Sequence, residues 1–398
     1  MQIKNALVYT LEQGFVKKDV FIENGFFIEE SNLSKDVGEV IDAKGDYLIP
    51  GLVDVHFHGS AGYDFSDGSK ESITAIGRYE LENGITSICP ASMTLPEETL
   101  VHVCKNALDY SRASTEIIEA MCEKADALYN KKTDTLGARL CGIHLEGPFL
   151  SEEKKGAQNP AYIRKPDIEM FRRLQEAAGG LIRLITIAPE MTGAEAFIRC
   201  FADEVHISVG HTTSDYDTAY RAFKLGVDHV THLYNAMPGF THRAPGVVGA
   251  VFDASHVMVE LICDGIHVDP SAVRATLRLF GSERVILISD SMMATGMEDG
   301  DYSLGGLPVT VKGNSATLED GTIAGSATNL MDCMRRAVSM GIPLETAVRC
   351  ATYNPAKSIG AEAVCGSIAS GKYGDCVILS KEDLSTQKVI LGGFCVRG

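Results

Sequence analysis

Cys141-Gly142-Ile143-His144-Leu145-Glu146-Gly147-Pro148 is a short apolar run that ends on a carboxylate and breaks at Gly-Pro. A strand that delivers one acidic side chain to its end, just before a turn, offers that carboxylate to a ligand. The design recurs downstream. Val205 to Gly210 ends at His211, Asp228 to Thr231 ends at His232, and Val285 to Ser289 ends at Asp290. Upstream, Leu52-Val53-Asp54-Val55 runs into His56-Phe57-His58. Several separate strands each place a His, Asp or Glu at the same end. A barrel enzyme assembles a metal site from distant parts of its chain in this way.

Outward from these strands, the 398 residues alternate strand and helix patterns. Expected strands are 52–56, 86–90, 142–146, 183–188, 205–210, 230–233, 258–263 and 285–289. Expected helices lie between most of them, at 97–110, 167–178, 214–225 and 270–280. Alternation of this kind implies a parallel sheet, and about eight such units closing on themselves make a (β/α)8 TIM-like barrel. An open doubly wound sheet would need a Gly-rich phosphate loop after a strand, and the chain has none. The segment from Gln2 to Asp46 reads as short strands, with an Asn24-Gly25 hairpin signal. The C-terminal stretch from Gly366 looks alike. The expectation is therefore an α/β chain in two parts: a small β-sandwich domain from both termini (1–50 plus 356–398) and a barrel over 51–355. Gly300–Gly321, rich in Gly, Thr and Val, reads as a small β insertion.

Composition bounds the function. Apolar residues make up 45% and charged residues 22%, so the chain is globular. The net charge of −17 argues against nucleic acid or an anionic membrane as a partner, because phosphate contacts need clustered Lys and Arg. No apolar run is long enough to span a bilayer. The N-terminal residues show no signal-peptide pattern, and the 11 scattered cysteines include no Cys-x-x-Cys pair. Together these suggest reduced thiols and a cytoplasmic location.

Glu146, His211 and His232 form a 2-His-1-carboxylate set, which suits Zn²⁺ or Fe²⁺ with a position open for water. On a strand, His56 and His58 point to one side; they either bind one ion, flank two, or form a polar rim. His144 reads as a supporting or core residue. His206 and His229, at strand starts, read as structural. Asp290, facing the ligands from the opposite wall, can take a proton from water and return it to a leaving amine. Arg243, on a Gly/Pro-rich loop, is either solvated or an anion clamp. His267 follows the seventh strand on the same face.

These motifs resemble the amidohydrolase superfamily, and within it the deacetylases of N-acetyl amino-sugar 6-phosphates. The resemblance covers essentially the whole chain. It rests on Asp54-Val-His56-Phe-His58-Gly, His144-Leu-Glu146-Gly-Pro-Phe, Gly156-Ala157-Gln158-Asn159-Pro160, Gly210-His211-Thr212 and Thr231-His232-Leu-Tyr-Asn235-Ala236-Met237-Pro238. Asp264-Gly-Ile-His267, Ser289-Asp290 and Ile323-Ala324-Gly325-Ser326 continue it. It implies a divalent metal (Zn or Fe, one or two per chain) on Glu146, His211 and His232, with Asp290 as general acid/base. It further implies that Asn235, Ala236, Arg243, Asp264 and His267 serve the sugar phosphate, and that Ala157, Gln158, Ile323, Ala324 and Gly325 line the sugar and acetyl pocket. The implied activity is removal of acetate from N-acetylglucosamine 6-phosphate. The implied assembly is a homodimer, in which part of the phosphate site can come from the neighbouring subunit. Some members carry His where this chain has Gln158, and the same members lack the H-x-H pair kept here. Rival readings are the galactosamine epimer, hydrolysis of a cyclic amide or dipeptide, and a non-catalytic scaffold. Sites for cyclic amides and dipeptides often bridge their ions with a carboxylated lysine, and Glu146 fills that place here. A scaffold would have lost the ligands that this chain retains.

Overall fold

The strands that read as continuous apolar runs are buried on both faces. Every residue of Ile85–Ile88, Ile143–Glu146, Met258–Ile262 and Val285–Ile288 is buried, as parallel strands covered on both sides require. The computed structural model describes residues 1–33, 38–123 and 136–398. In it, Ala91–Ser92, Ile143–Glu146, Ile182–Ile187, His206–Val209, His229–Val230, Met258–Ile262 and Val285–Ile288 form a seven-stranded sheet, parallel at every pairing. Leu52–Asp54, Ile85–Ile88 and Arg139–Leu140 form a second parallel sheet of three strands.

The segment after Leu52–Asp54 links the two sheets. The amide of Ala91 donates to the Phe57 carbonyl (2.7 Å), and the amide of Asp290 donates to the His56 carbonyl (2.9 Å). The seven-stranded sheet therefore curls until the turn after its last strand and the start of its first both meet the 56–57 segment. The intervening helices start where the sequence supplies a cap. Ser69, Asp167, Asp215, Asp269 and Asn329 each accept a backbone N–H in the first turn of the helix they precede. Among the described residues, no helix is long and apolar enough to cross a membrane.

The chain ends share one eight-stranded sheet. Tyr47–Pro50 pairs antiparallel with Cys376–Leu379, which brings residues from opposite ends of the sequence side by side. The Asn24-Gly25 hairpin forms as expected, with both residues at positive φ (50° and 84°). The sheet has its own apolar cluster, including Ile3, Val8, Ile22, Leu48 and Ile390. Asp375 ties it to the parallel strands by accepting from Arg139 (2.8 Å) and from the Gly392 amide (2.7 Å).

The β insertion is present and longer than its composition suggests. Gly300–Leu304, Leu307–Lys312, Ser315–Thr317 and Ile323–Ser326 form an antiparallel sheet. It is seated on the Asp290 turn, where the Ser326 amide donates to the Asp290 carbonyl (2.7 Å). Its far end is held by Asp64, which accepts the Gly305 amide at 3.1 Å.

Two expectations are corrected. The helix expected over 97–110 runs from Glu97 to Glu123; its polar Ser111–Thr115 stretch hides the pattern, which Ile118 and Met121 resume as buried residues. The strands are also shorter than expected. Strand pairing stops at Asp54, Val209, Val230 and Ile288, so His56, His211, His232 and Asp290 lie in the turns beyond.

Helix Lys70–Glu82 buries Glu80 with one carboxylate oxygen unpartnered. Burial, aided by the nearby Asp54, pushes its pKa up from 4.5 to about 8, with the nearby Ser60 hydroxyl offsetting part of the shift. The unfolded chain releases this proton near 4.5, so the stability tied to Glu80 is complete below that pH and is lost as pH rises through about 8. Glu80→Gln is expected to hold its melting temperature better than wild type between about pH 5 and pH 9. Parallel melting curves across that range would mean that Glu80 ionises freely in the fold.

Candidate metal centre

Four side chains reach the centre from the same place in their units, two residues beyond the end of a strand: His56, His211, His232 and Asp290. Three of these turn inward through a left-handed backbone, with φ of 46° at His211, 28° at His232 and 48° at Asp290. Such conformations cost on the order of 1 kcal/mol or more per residue without glycine, and they persist only where surrounding bonds over-determine them. Glu146 alone projects from within a strand. His56 and His58 are not strand residues, which corrects the period-two reading. They converge through the turn instead, with ring centroids 5.4 Å apart.

Glu146 is the hub. Its Oε1 lies 3.0 Å from His211 Nε2, 3.1 Å from His232 Nε2 and 3.3 Å from His56 Nε2. Its Oε2 lies 3.3 Å from His58 Nε2, which is also 3.3 Å from Asp290 Oδ1. The opposite nitrogens of three of these rings face groups that can only accept. Nδ1 of His56 meets Glu260 (2.8 Å), Nδ1 of His58 meets the Ala91 carbonyl (3.1 Å) and Nδ1 of His211 meets the Lys154 carbonyl (2.8 Å). Each Nδ1 therefore carries a hydrogen, and in the neutral ring each Nε2 presents a bare lone pair to the carboxylates. His211 and His232 also bring their Nε2 atoms to 3.1 Å of one another. Converging acceptors without donors repel unless a cation lies among them.

The pKa directions say the same. For Glu146, burial acts to raise the pKa, but the charges of His56 and His211 and the bonds from His211 and His232 outweigh it and hold it well below the usual range. For His58, burial acts to lower the pKa, yet the bonds to Asp290 and Glu146 push it up to about 10. A field that draws a proton onto a buried imidazole also draws a metal ion. The donors fit two ions, one within Glu146, His211 and His232 and one within His56, His58 and Asp290. His56, His144 and Glu260 also lie close, but His144 is committed elsewhere. It bonds the Val55 carbonyl (3.2 Å) and the Thr186 hydroxyl (2.8 Å), and burial lowers its pKa to about 3.

A cavity of about 350 Å³ opens over Glu146, His58 and Asp290. Ala157, Gln158, Asn235, Ala236 and His267 line it, and Ile323 and Gly325 line it from the β insertion. Ala324 is fully buried. Asp264 is buried too and accepts from His267 Nδ1 at 2.7 Å, so it orients that ring. Arg243 is exposed on its loop and is not among the lining residues. Gln158 differs from a free acetyl-pocket amide. Its oxygen accepts the Thr94 amide (2.7 Å), so its NH₂ is aimed at Glu146 Oε2 (2.5 Å).

Sequence reading missed two residues here. Glu260, fully buried, receives His56 Nδ1 (2.8 Å) and the His232 amide (3.1 Å), and its other oxygen lies 3.1 Å from His229 Nε2. Its signal was a lone carboxylate inside the apolar run Met258-Val-Glu-Leu-Ile262. His229 is buried beside that carboxylate, while His206, at the other strand start, pairs with Asp228 at 2.6 Å. Among the described residues, Lys154 is the only lysine or arginine that lines the cavity.

With this geometry in place, the class is defined. A profile of the amidohydrolase family matches residues 47–396, and the chain belongs to that family. Among its relatives, the N-acetylglucosamine-6-phosphate deacetylase of Bacillus subtilis (strain 168) is 38% identical over 337 residues, 84% of this chain and 81% of that one. The N-acetylgalactosamine-6-phosphate deacetylase of Escherichia coli O157:H7 is 30% identical over 356 residues, 89% of each chain. The crystal structure of N-acetyl-D-glucosamine-6-phosphate deacetylase from Mycobacterium smegmatis superposes with a TM-score of 0.86 at 31% identity, covering all of both chains.

The two donor sets predict the metal content. Protein purified without chelator is expected to carry close to two divalent ions per chain by elemental analysis, and His56→Asn/His58→Asn close to one. A ratio of one in fully active wild type would assign the H-x-H pair to ordering water instead.

Proposed function

We propose that this chain hydrolyses N-acetyl-D-glucosamine 6-phosphate to D-glucosamine 6-phosphate and acetate. The observation that carries the reading is the ring of bare imidazole nitrogens around Glu146, opposite Asp290 and under a sugar-sized cavity. The family membership and the activity of the B. subtilis and M. smegmatis relatives support the substrate class. The galactosamine epimer is the second reading, favoured by the likeness to the E. coli enzyme.

Zinc or iron, held by Glu146, His211 and His232 and by His56 and His58, would supply Lewis acidity to the attacking water and the amide carbonyl. The remaining steps belong to the chain. Burial acts to raise the Asp290 pKa, but the bond to His58 and the positive charge of His56 and His58, a charge that a bound cation would supply in place of their protons, outweigh it and lower it. Asp290 therefore begins as a base. It takes a proton from water as the oxygen adds to the acetyl carbon, then passes it to the nitrogen as the C–N bond breaks. The cycle returns Asp290 to its starting state and releases an amine and acetate. Gln158 steadies the Glu146 carboxylate, and Asn235, Ala236 and His267 hold the sugar phosphate. Ala157, Ile323 and Gly325 bound the sugar, with Ala324 and Asp264 supporting the walls.

Among the described residues, one lysine and no arginine lines the cavity, Lys154. An exposed Arg243 outside it supports the reading that this arginine serves the phosphate of a neighbouring subunit in a homodimer. The same reading gives a (β/α)8 barrel over 51–355, supported by the bond between the turns that follow Leu52–Asp54 and Val285–Ile288. It gives a small β-sandwich domain over 1–50 and 356–398, supported by the cluster of Ile3, Leu48 and Ile390. Scattered thiols support a cytoplasmic location.

Asp290→Asn is expected to fold and bind metal while losing kcat by roughly 10²–10⁴-fold. A variant that keeps more than a tenth of wild-type kcat would remove Asp290 from the proton path. In a panel of acetylated amino sugars, Lys154→Ala and Arg243→Ala should each raise KM for the 6-phosphate far more than for the unphosphorylated sugar. Equal effects on both substrates would place these residues in loop structure. The same panel, read on wild type, separates the two epimers by acetate release.

A further inference from the structure

We infer that Glu190 is a positioning residue for one half of the metal centre, the half built on Glu146, His211 and His232. The inference rests on the metal reading above. Glu190 lies just past strand Ile182–Ile187, at the end of the sheet that carries the centre. Its Oε1 accepts the backbone N–H of Thr213 (2.6 Å) and the Thr213 hydroxyl (3.0 Å). Its Oε2 accepts the hydroxyls of Thr212 (2.5 Å) and Ser214 (2.8 Å). One carboxylate thus collects four donors from three consecutive residues, and those residues follow His211 directly. Thr212 and Ser214 are buried, so these donors would be costly to leave unmet.

The segment it holds has a specific task. His211 sits at φ 46°, a conformation that relaxes unless its neighbours are fixed. Charge-assisted bonds are about twice as strong as neutral ones, and a carboxylate gathering four of them supplies that restraint. The restraint also travels further. The Thr212 amide donates to the Ala236 carbonyl (3.1 Å), at the far side of the turn that begins with His232. The same carboxylate therefore fixes the residues that follow one histidine and steadies the turn of the other. His56 and His58 are held by different groups, Glu260 and the Ala91 carbonyl. The role of Glu190 is therefore one-sided.

Zinc affinity, measured by competition with a chromophoric chelator, tests this side by side. In a His56→Asn/His58→Asn background only the Glu146 set remains, and Glu190→Ala should weaken zinc there by about 10–100-fold. In a His211→Asn background the same change should leave the affinity of the remaining set unaltered. Glu190→Gln keeps an acceptor for the Thr213 amide and offers NH₂ to the two hydroxyls, so it should restore most of the loss. If Glu190→Ala does not fold, Thr213→Ala, which removes one donor from the cage, makes the same comparison with a smaller expected loss. Equal weakening in both backgrounds, or none in either, overturns the proposal. A wild-type chain that takes up no zinc or iron overturns the metal reading itself, and this inference with it.

Discussion

The structure is organised around an electrostatic conflict at Glu146. A buried carboxylate, a second carboxylate at Asp290 and imidazole nitrogens with bare lone pairs meet within about one hydrogen-bond length. Burying such groups without donors is among the costlier things a fold can do. The conflict is built in, because carbonyl and carboxylate acceptors on the outer side of three rings fix their tautomers. The Ala91 and Lys154 carbonyls and the Glu260 carboxylate cannot give up a hydrogen, so the rings cannot turn a donor inward while neutral. Only a cation resolves the arrangement, and much of the surrounding structure holds it in readiness for one.

That readiness shows in the backbone. Three inward-turning residues adopt left-handed conformations that nothing in their own chemistry favours. Each is pinned by bonds from elsewhere in the chain. The Asp290 amide is held by the His56 carbonyl, and the Asp290 carbonyl is held by Ser326 in the β insertion. The His232 amide is held by Glu260, and the segment after His211 is held by Glu190. The curled parallel sheet supplies the rigid frame, and the strain is confined to the turns at one end of it. This division of labour lets a fold keep reactive geometry without weakening its core.

The second physical theme is charge. A chain with net charge −17 repels anions at long range, so binding of any anion in the cavity falls to a few local donors. Lys154 and His267 line the cavity, while the Asn235 NH₂ donates to the His232 and Leu233 carbonyls. His267 owes its orientation to buried Asp264. The β insertion closes the opposite wall and is anchored at both ends, at the Asp290 turn and at Asp64. The cavity is therefore bounded by elements that all answer to the same centre.

The amino-acid sequence by itself determined the alternation of strands and helices, though not all of their bounds, because apolar period and caps are local properties. It also determined the candidate ligands, because a polar residue closing an apolar strand is visible without coordinates. Glu146, His211, His232 and Asp290 were legible in that way, as were the Asn24-Gly25 hairpin and the likeness of the two chain ends. Tertiary structure alone decided the rest. The pairing of Tyr47–Pro50 with Cys376–Leu379 depends on contacts more than 300 residues apart in sequence. The tautomers of the histidines depend on carbonyls contributed by Ala91 and Lys154, whose side chains carry no signal for that role. Glu260 and Glu190 look like ordinary acids in the sequence, because the hydrogen bonds that define them come from other strands and turns. The bond of Gln158 to Glu146 instead of to open cavity is of the same kind. Local pattern fixes what each segment is; only the packing of distant segments fixes what each polar atom faces.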